Sequence, residues 1–174
     1  MSQYTPTTGT ITKIDWQDTD PGQLGCALRF TLNSMDQGLI HIIVDGSTYV
    51  ADNHPLSVGD QVTFFYSLYA PVPMIYPPQY QAVAAVRTPL GTYASLDVFT
   101  QAADSRQLVN SDNTLRLNLS QCTKLILPNG QPFGGALSGK LLLVIYGATT
   151  RSIPAQTTPD KIIAFCQSQS SAPC

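Results

Sequence analysis

The sequence predicts an all-β fold made of two tandem OB-like small β-barrels, residues 1–88 and 89–174, related by internal duplication; a β-sandwich is the competing arrangement. Three observations predict it. All eleven acidic residues are Asp, so the chain lacks Glu, a good helix former and the usual partner in helical ion pairs. Thr, Val, Ile, Tyr and Phe fill short alternating stretches, and thirteen Pro and twelve Gly punctuate them. The second half also repeats the strand-and-turn order of the first.

In the first half, Gly9 to Trp16 reads as a strand and Cys26 to Asn33 as the next. Met35-Asp36-Gln37-Gly38 supplies a hairpin turn. Leu39 to Ala51 forms a long third strand with a bend at Asp45-Gly46. Leu56-Ser57-Val58-Gly59-Asp60 turns the chain into Gln61 to Leu68. A Pro-rich loop, Ala70 to Gln79, leads to a last strand, Tyr80 to Arg87. Five short strands with a long bent third one suit an OB-like barrel.

The repeat is read from matched positions. Ile40, Ile42, Val44, Thr48 and Val50 match Leu115, Leu117, Leu119, Thr123 and Leu125 at an offset of 75. Gly59, Val62, Phe64, Phe65 and Tyr66 match Gly139, Leu142, Val144, Ile145 and Tyr146 at 80, and Val83 and Ala84 continue that offset to Ile163 and Ala164. Gly59 with Gly139, Tyr66 with Tyr146 and Thr48 with Thr123 carry the weight, because any two strands share apolar residues. Leu115, Leu117 and Leu119 alternate with Arg116, Asn118 and Ser120, which turns the leucines inward; Ile40, Ile42 and Val44 follow, leaving His41 outside beside Ile43. Both glycines are expected at positive φ.

Charge is sparse: 11% of residues are charged and the net charge is −2. The nine basic residues form no cluster, which argues against nucleic acid as a partner. No run of about 18 apolar residues predicts a membrane span. Met1 to Pro6 lacks the basic residue and apolar core of a secretory signal, unless a leader precedes it. The location stays open; the residues alone suggest a chain made and kept inside the cell. A surface so poor in charge associates readily.

The loop Pro71 to Tyr80 is the most unusual stretch. Four prolines stiffen it, and Tyr69, Met74, Ile75, Tyr76 and Tyr80 add apolar and aromatic surface. It reads either as a partner-binding element or as a lid in which Ile75 and Tyr76 plug the barrel. Its counterpart, with Arg151 and Gln156, lacks the aromatics. Trp16 either stacks on a sugar ring or caps a barrel end. Asp15, Asp18 and Asp20 read as a solvated turn that lacks the Gly and bidentate Glu of a calcium loop.

The four cysteines show no C-x-x-C spacing, so neither a metal nor any other cofactor is expected. Cys26 and Cys166 fall on predicted strands as small buried hydrophobes. Cys122 is placed at a strand start where the first copy has Ser47. Cys174 ends a polar tail, and Cys122 and Cys174 are the candidates for a disulfide between chains. His41 and His54 are the only histidines, and no Gly-x-Ser-x-Gly elbow accompanies them, so no catalytic residue is assigned and the chain reads as a non-enzyme.

The stretches Ala70 to Tyr80 and Tyr146 to Pro159 resemble motifs in an uncharacterised family of small β-rich proteins from spore-forming anaerobic bacteria. The similarity runs from about Gly9 to Cys166 and implies architecture only. Together these readings predict a structural or interaction protein that assembles with itself, as a homo-oligomer or polymer of fibre, coat or surface-layer type. The alternative is a module that binds an oligosaccharide or peptide through the Pro/aromatic loop.

Overall fold

The computed structural model describes residues 2–17, 21–103 and 105–166, with 51% of the chain in strands and 3% in helix. Two compact units follow each other along the chain, dividing at Leu90/Gly91.

The first unit contains β1 (Tyr4–Trp16), β2 (Ala27–Ser34), β3 (Gly38–Asp45), β4 (Tyr49–Val50), β5 (Gln61–Ser67) and β6 (Gln79–Arg87). β1 pairs antiparallel with β2 and with β5, β2 with β3, and β5 with β6. β3 then pairs parallel with β6 and closes the ring in the OB order. A closed ring leaves no free sandwich sheet. The predicted long third strand breaks at Asp45-Gly46, as its turn residues require, and resumes as β4, which is also parallel to β6. Ile11, Phe30, Leu32, Ile40, Ile42, Val62 and Phe64 fill the barrel.

β1 begins five residues before the predicted strand and runs through Pro6. The Thr8 carbonyl accepts from the Met35 N–H at 2.9 Å, so even-numbered residues here direct their backbone toward β2. Pro6 faces that same side beyond Ser34, where β2 has ended, and its missing N–H breaks no ladder.

The second unit contains β7 (Tyr93–Gln101), β8 (Leu108–Asn110), β9 (Leu115–Leu117), β10 (Lys124–Ile126), β11 (Lys140–Tyr146), β12 (Ala155–Thr157) and β13 (Lys161–Phe165). Each ladder of the first barrel recurs: β7 with β8 and β11, β8 with β9, β9 parallel to β12, β10 parallel to β13, and β11 with β13. Here the last strand is two pieces. Pro159 stands where the first copy has Ala82, and a proline cannot donate to the ladder. Phe99, Leu115, Leu117, Leu142, Val144 and Ile162 form its core.

The duplication shows in individual hydrogen bonds. Gly59 N–H donates to Ile11 O at 2.8 Å, and Gly139 N–H donates to Phe99 O at 2.8 Å. Thr48 Oγ1 donates to Ala82 O at 2.9 Å, and Thr123 Oγ1 to Pro159 O at 2.8 Å. Gly59 and Gly139 take φ of 95° and 83°. The register of the last strand corrects the sequence reading. Phe64 pairs with Ala85 and Val144 with Ile162, so the offset there is 77 and Ile163 matches Val86, not Val83. Apolar residues on neighbouring positions of a strand buried on both faces cannot fix a register. Leu119 is a second correction: it lies past the end of β9 and is exposed.

Candidate functional site

The β5–β6 loop sits at one end of the first barrel. Its prolines leave few N–H groups to bond inward, and its side chains turn to solvent: Tyr69 is 75%, Met74 102% and Tyr76 84% exposed, with Ile75 and Val72 about half exposed. Ile75 and Tyr76 therefore do not plug the barrel. The Pro78 carbonyl accepts from His41 N–H at 2.8 Å and holds the end of the loop against β3. A second anchor at the same end is Tyr80. Its ring stacks on Tyr66 at 4.2 Å and its hydroxyl donates to Gln37 Oε1 at 2.8 Å, so Tyr80 serves the barrel end and leaves the contact surface to the loop's centre. Met35, on the β2–β3 turn, is also exposed. No residue from Leu68 to Gln81 is charged.

Beside this loop the outer face of β1–β2–β3–β6 is polar. Thr31, His41 and Gln79 stand in one row across the strands. Asp15 lies 3.6 Å from Arg29 and 3.5 Å from Lys13. Desolvation, then the Arg29 guanidinium and Lys13, hold the His41 imidazole below its usual range; Asp15 opposes them. His54 is exposed, with Nδ1 at 2.7 Å from Pro55 O.

The second barrel treats the same face differently. Arg116 and Gln156 occupy the places of His41 and Gln79. Gln107 Nε2 donates to Asn118 Oδ1 and, at 3.4 Å, to Gln156 Oε1; Asn118 Nδ2 donates to Gln156 Oε1 at 3.3 Å. Arg116 Nη1 donates to Gln107 Oε1 at 3.2 Å. Gln156 is thus a member of a half-buried amide cluster, not a lone loop contact. The β11–β12 loop exposes Arg151 and Ile153, and Tyr146 stacks on Tyr93.

Trp16 ends β1 at the other mouth of the first barrel and is 62% exposed, so it does not cap the core. Cys26 and Cys166, expected as buried hydrophobes, are both exposed and free. Cys26 precedes β2 and Cys166 follows β13, each one residue past the strand that would have buried it. Cys122 is exposed, free, and lies in a turn instead of starting a strand: its N–H donates to Ser120 Oγ at 3.1 Å, as Ser47 N–H does to Asp45 Oδ1 at 2.9 Å. Asp18, Asp20 and Cys174 lie outside the described residues. Among the described residues no His, Cys or Asp group gathers as a metal site.

Sequence reasoning found the loop by its prolines and aromatics. It missed Gln107, Asn118 and the anchoring pair Gln37–Tyr66, because polar residues on different strands meet only once the register is known. Comparison with protein-family models, with curated proteins and with solved structures finds no match for this chain.

Proposed function

We propose that this protein is a non-catalytic structural or interaction subunit that assembles with copies of itself. The observation that carries the reading is the uncharged loop from Leu68 to Tyr76, which holds Met74 and Tyr76 in water on a proline-stiffened backbone. Exposed apolar groups clustered in this way mark a contact surface, and a stiff loop loses little entropy when it docks. Sparse charge leaves little repulsion between copies.

The test is size-exclusion chromatography with light scattering, with and without reductant. The wild-type chain is expected to associate as its concentration rises. The double variant Met74→Ser/Tyr76→Ser is expected to remain monomeric with an unchanged circular dichroism spectrum. A monomeric wild type at all concentrations would sink the proposal. The exposure of Trp16 and the polar row Thr31–His41–Gln79 beside the loop favour a second reading, capture of an oligosaccharide or peptide on the first barrel. On that reading, Trp16→Ala and Tyr76→Ala lose glycan or peptide binding while staying folded.

A further inference from the structure

A guanidinium has only donors, so Arg116 sets the direction of every amide around it. Its Nη1 donates to Gln107 Oε1 at 3.2 Å, and the same oxygen accepts from Ser105 Oγ at 3.4 Å. Gln107 must then turn its Nε2 toward Asn118 Oδ1 and Gln156 Oε1, and Asn118 Nδ2 donates to that Gln156 oxygen at 3.3 Å. Every amide oxygen of the cluster is therefore engaged inside it, and what remains is donors. Among the described residues Gln156 Nε2 has no acceptor, and Arg116 makes no hydrogen bond beyond the one to Gln107. No carboxylate of the described residues pairs with this guanidinium, although the side chain is half-buried and its Nε is shut off from water.

A half-buried cation without a counter-charge is unfavourable, and an anion from outside relieves it. The first barrel shows the paired alternative on the corresponding face: Arg29 has Asp15 at 3.6 Å, and His41 stands where Arg116 does. In the second barrel the adjoining loop adds a further exposed cation, Arg151, next to Thr150. Thr150 exchanges two hydrogen bonds of 2.9 Å with the Gln156 backbone, which occupies the outer edge of β12. β9 has β8 on one side and β12 on the other, so this face offers no open strand edge to a peptide backbone. Leftover amide donors suit instead the hydroxyl and ring oxygens of a sugar, and the fork of an arginine suits a carboxylate. We propose that Arg116, Asn118 and Gln156 bind an acidic sugar, a uronate, with its carboxylate on Arg116 and its neighbouring oxygens on the two amides. This site lies in the second barrel and stands or falls independently of self-assembly through the Met74 loop.

Isothermal titration calorimetry on the full chain tests it, with trigalacturonate as the probe and galactotriose, triglutamate and inorganic phosphate as comparisons. Trigalacturonate is expected to bind at least about tenfold more tightly than any of the three, the worth of one charged hydrogen bond. Arg116→Gln can still donate to Gln107 and is expected to lose about tenfold in affinity for trigalacturonate. Gln156→Ala is expected to lose severalfold, and Arg29→Gln on the first barrel to change nothing. Circular dichroism reports whether each variant is folded; if Arg116→Gln is not, Gln156→Ala decides. No binding of trigalacturonate overturns the proposal. So does equal or tighter binding of galactotriose, triglutamate or phosphate: the first would make the carboxylate irrelevant, the second would make the ligand an acidic peptide, and the third would leave a general anion site. Wild-type affinity in folded Arg116→Gln or Gln156→Ala would place any sugar elsewhere and overturn it as well.

Discussion

Two glycines in the first barrel are required for different reasons. A Cβ at Gly9 would lie 2.3 Å from Asn33 O and 2.8 Å from the Ser34 Cα, inside the β1–β2 ladder. A Cβ at Gly59 meets nothing within 4 Å, and only its φ of 95° disfavours a side chain. Urea unfolding should therefore show Gly59→Ala losing about 1–2 kcal/mol, whereas Gly9→Ala must push β1 and β2 apart and should lose clearly more. Equal losses would contradict this account. His41 adds a pH dependence. Its lowered pKa means the unfolded chain binds its proton more tightly, so stability falls as pH drops through the ordinary histidine value of 6.5. Asp45 acts in a separate window: hydrogen bonding from Ser47 lowers its pKa, and the stability it contributes is lost as pH falls below the ordinary value of 3.8. His41→Gln should flatten the denaturation midpoint between about pH 7 and pH 5 and leave the acid limb untouched.

At the scale of elements, the two barrels solve the last strand differently. In the first it is continuous, nine residues of β6 that bridge β3, β4 and β5. In the second, Pro159 divides it and leaves β12 with three residues paired to β9. A three-residue parallel ladder is weak, and the Gln107–Asn118–Gln156 cluster holds it from outside. Removing either glutamine to alanine should cost about 1 kcal/mol, the net value of a partly buried hydrogen bond. The double variant should cost less than the sum, because both act through one network. Strictly additive losses in a double-mutant cycle would mean that the cluster is not a unit. The two β5–β6-type loops diverge in the same spirit: one presents Met74 and Tyr76, the other Arg151 and Ile153.

For the molecule as a whole, charge is the quantity that matters least. Nine basic and eleven acidic residues are spread over 174 positions, and the proposed contact loop from Leu68 to Tyr76 carries no charge. Self-association should therefore change little between about 0.05 and 0.5 M salt, across which the Debye length shrinks severalfold. It should weaken in moderate urea, which solvates apolar and peptide groups. Sedimentation velocity across a salt series is the measurement; dissociation by salt alone would point to ion pairs in place of the apolar loop.

The strand order, the inward face and the duplication were readable from the chain because they depend on local chemistry. Alternation places Ile40 and Ile42 inside, and turn residues place breaks at Asp45 and Gly59. The exposed cysteines, the 77-residue offset of the last strand and the amide cluster were not readable. Each depends on which residue of one strand stands opposite which residue of another. A side chain's burial one step past a strand end, as at Cys166 or Leu119, is likewise set by where that pairing stops. Periodicity along a chain carries the facing of a strand; only closure of the ring decides its register, and with it which polar groups meet and which apolar ones are left in water.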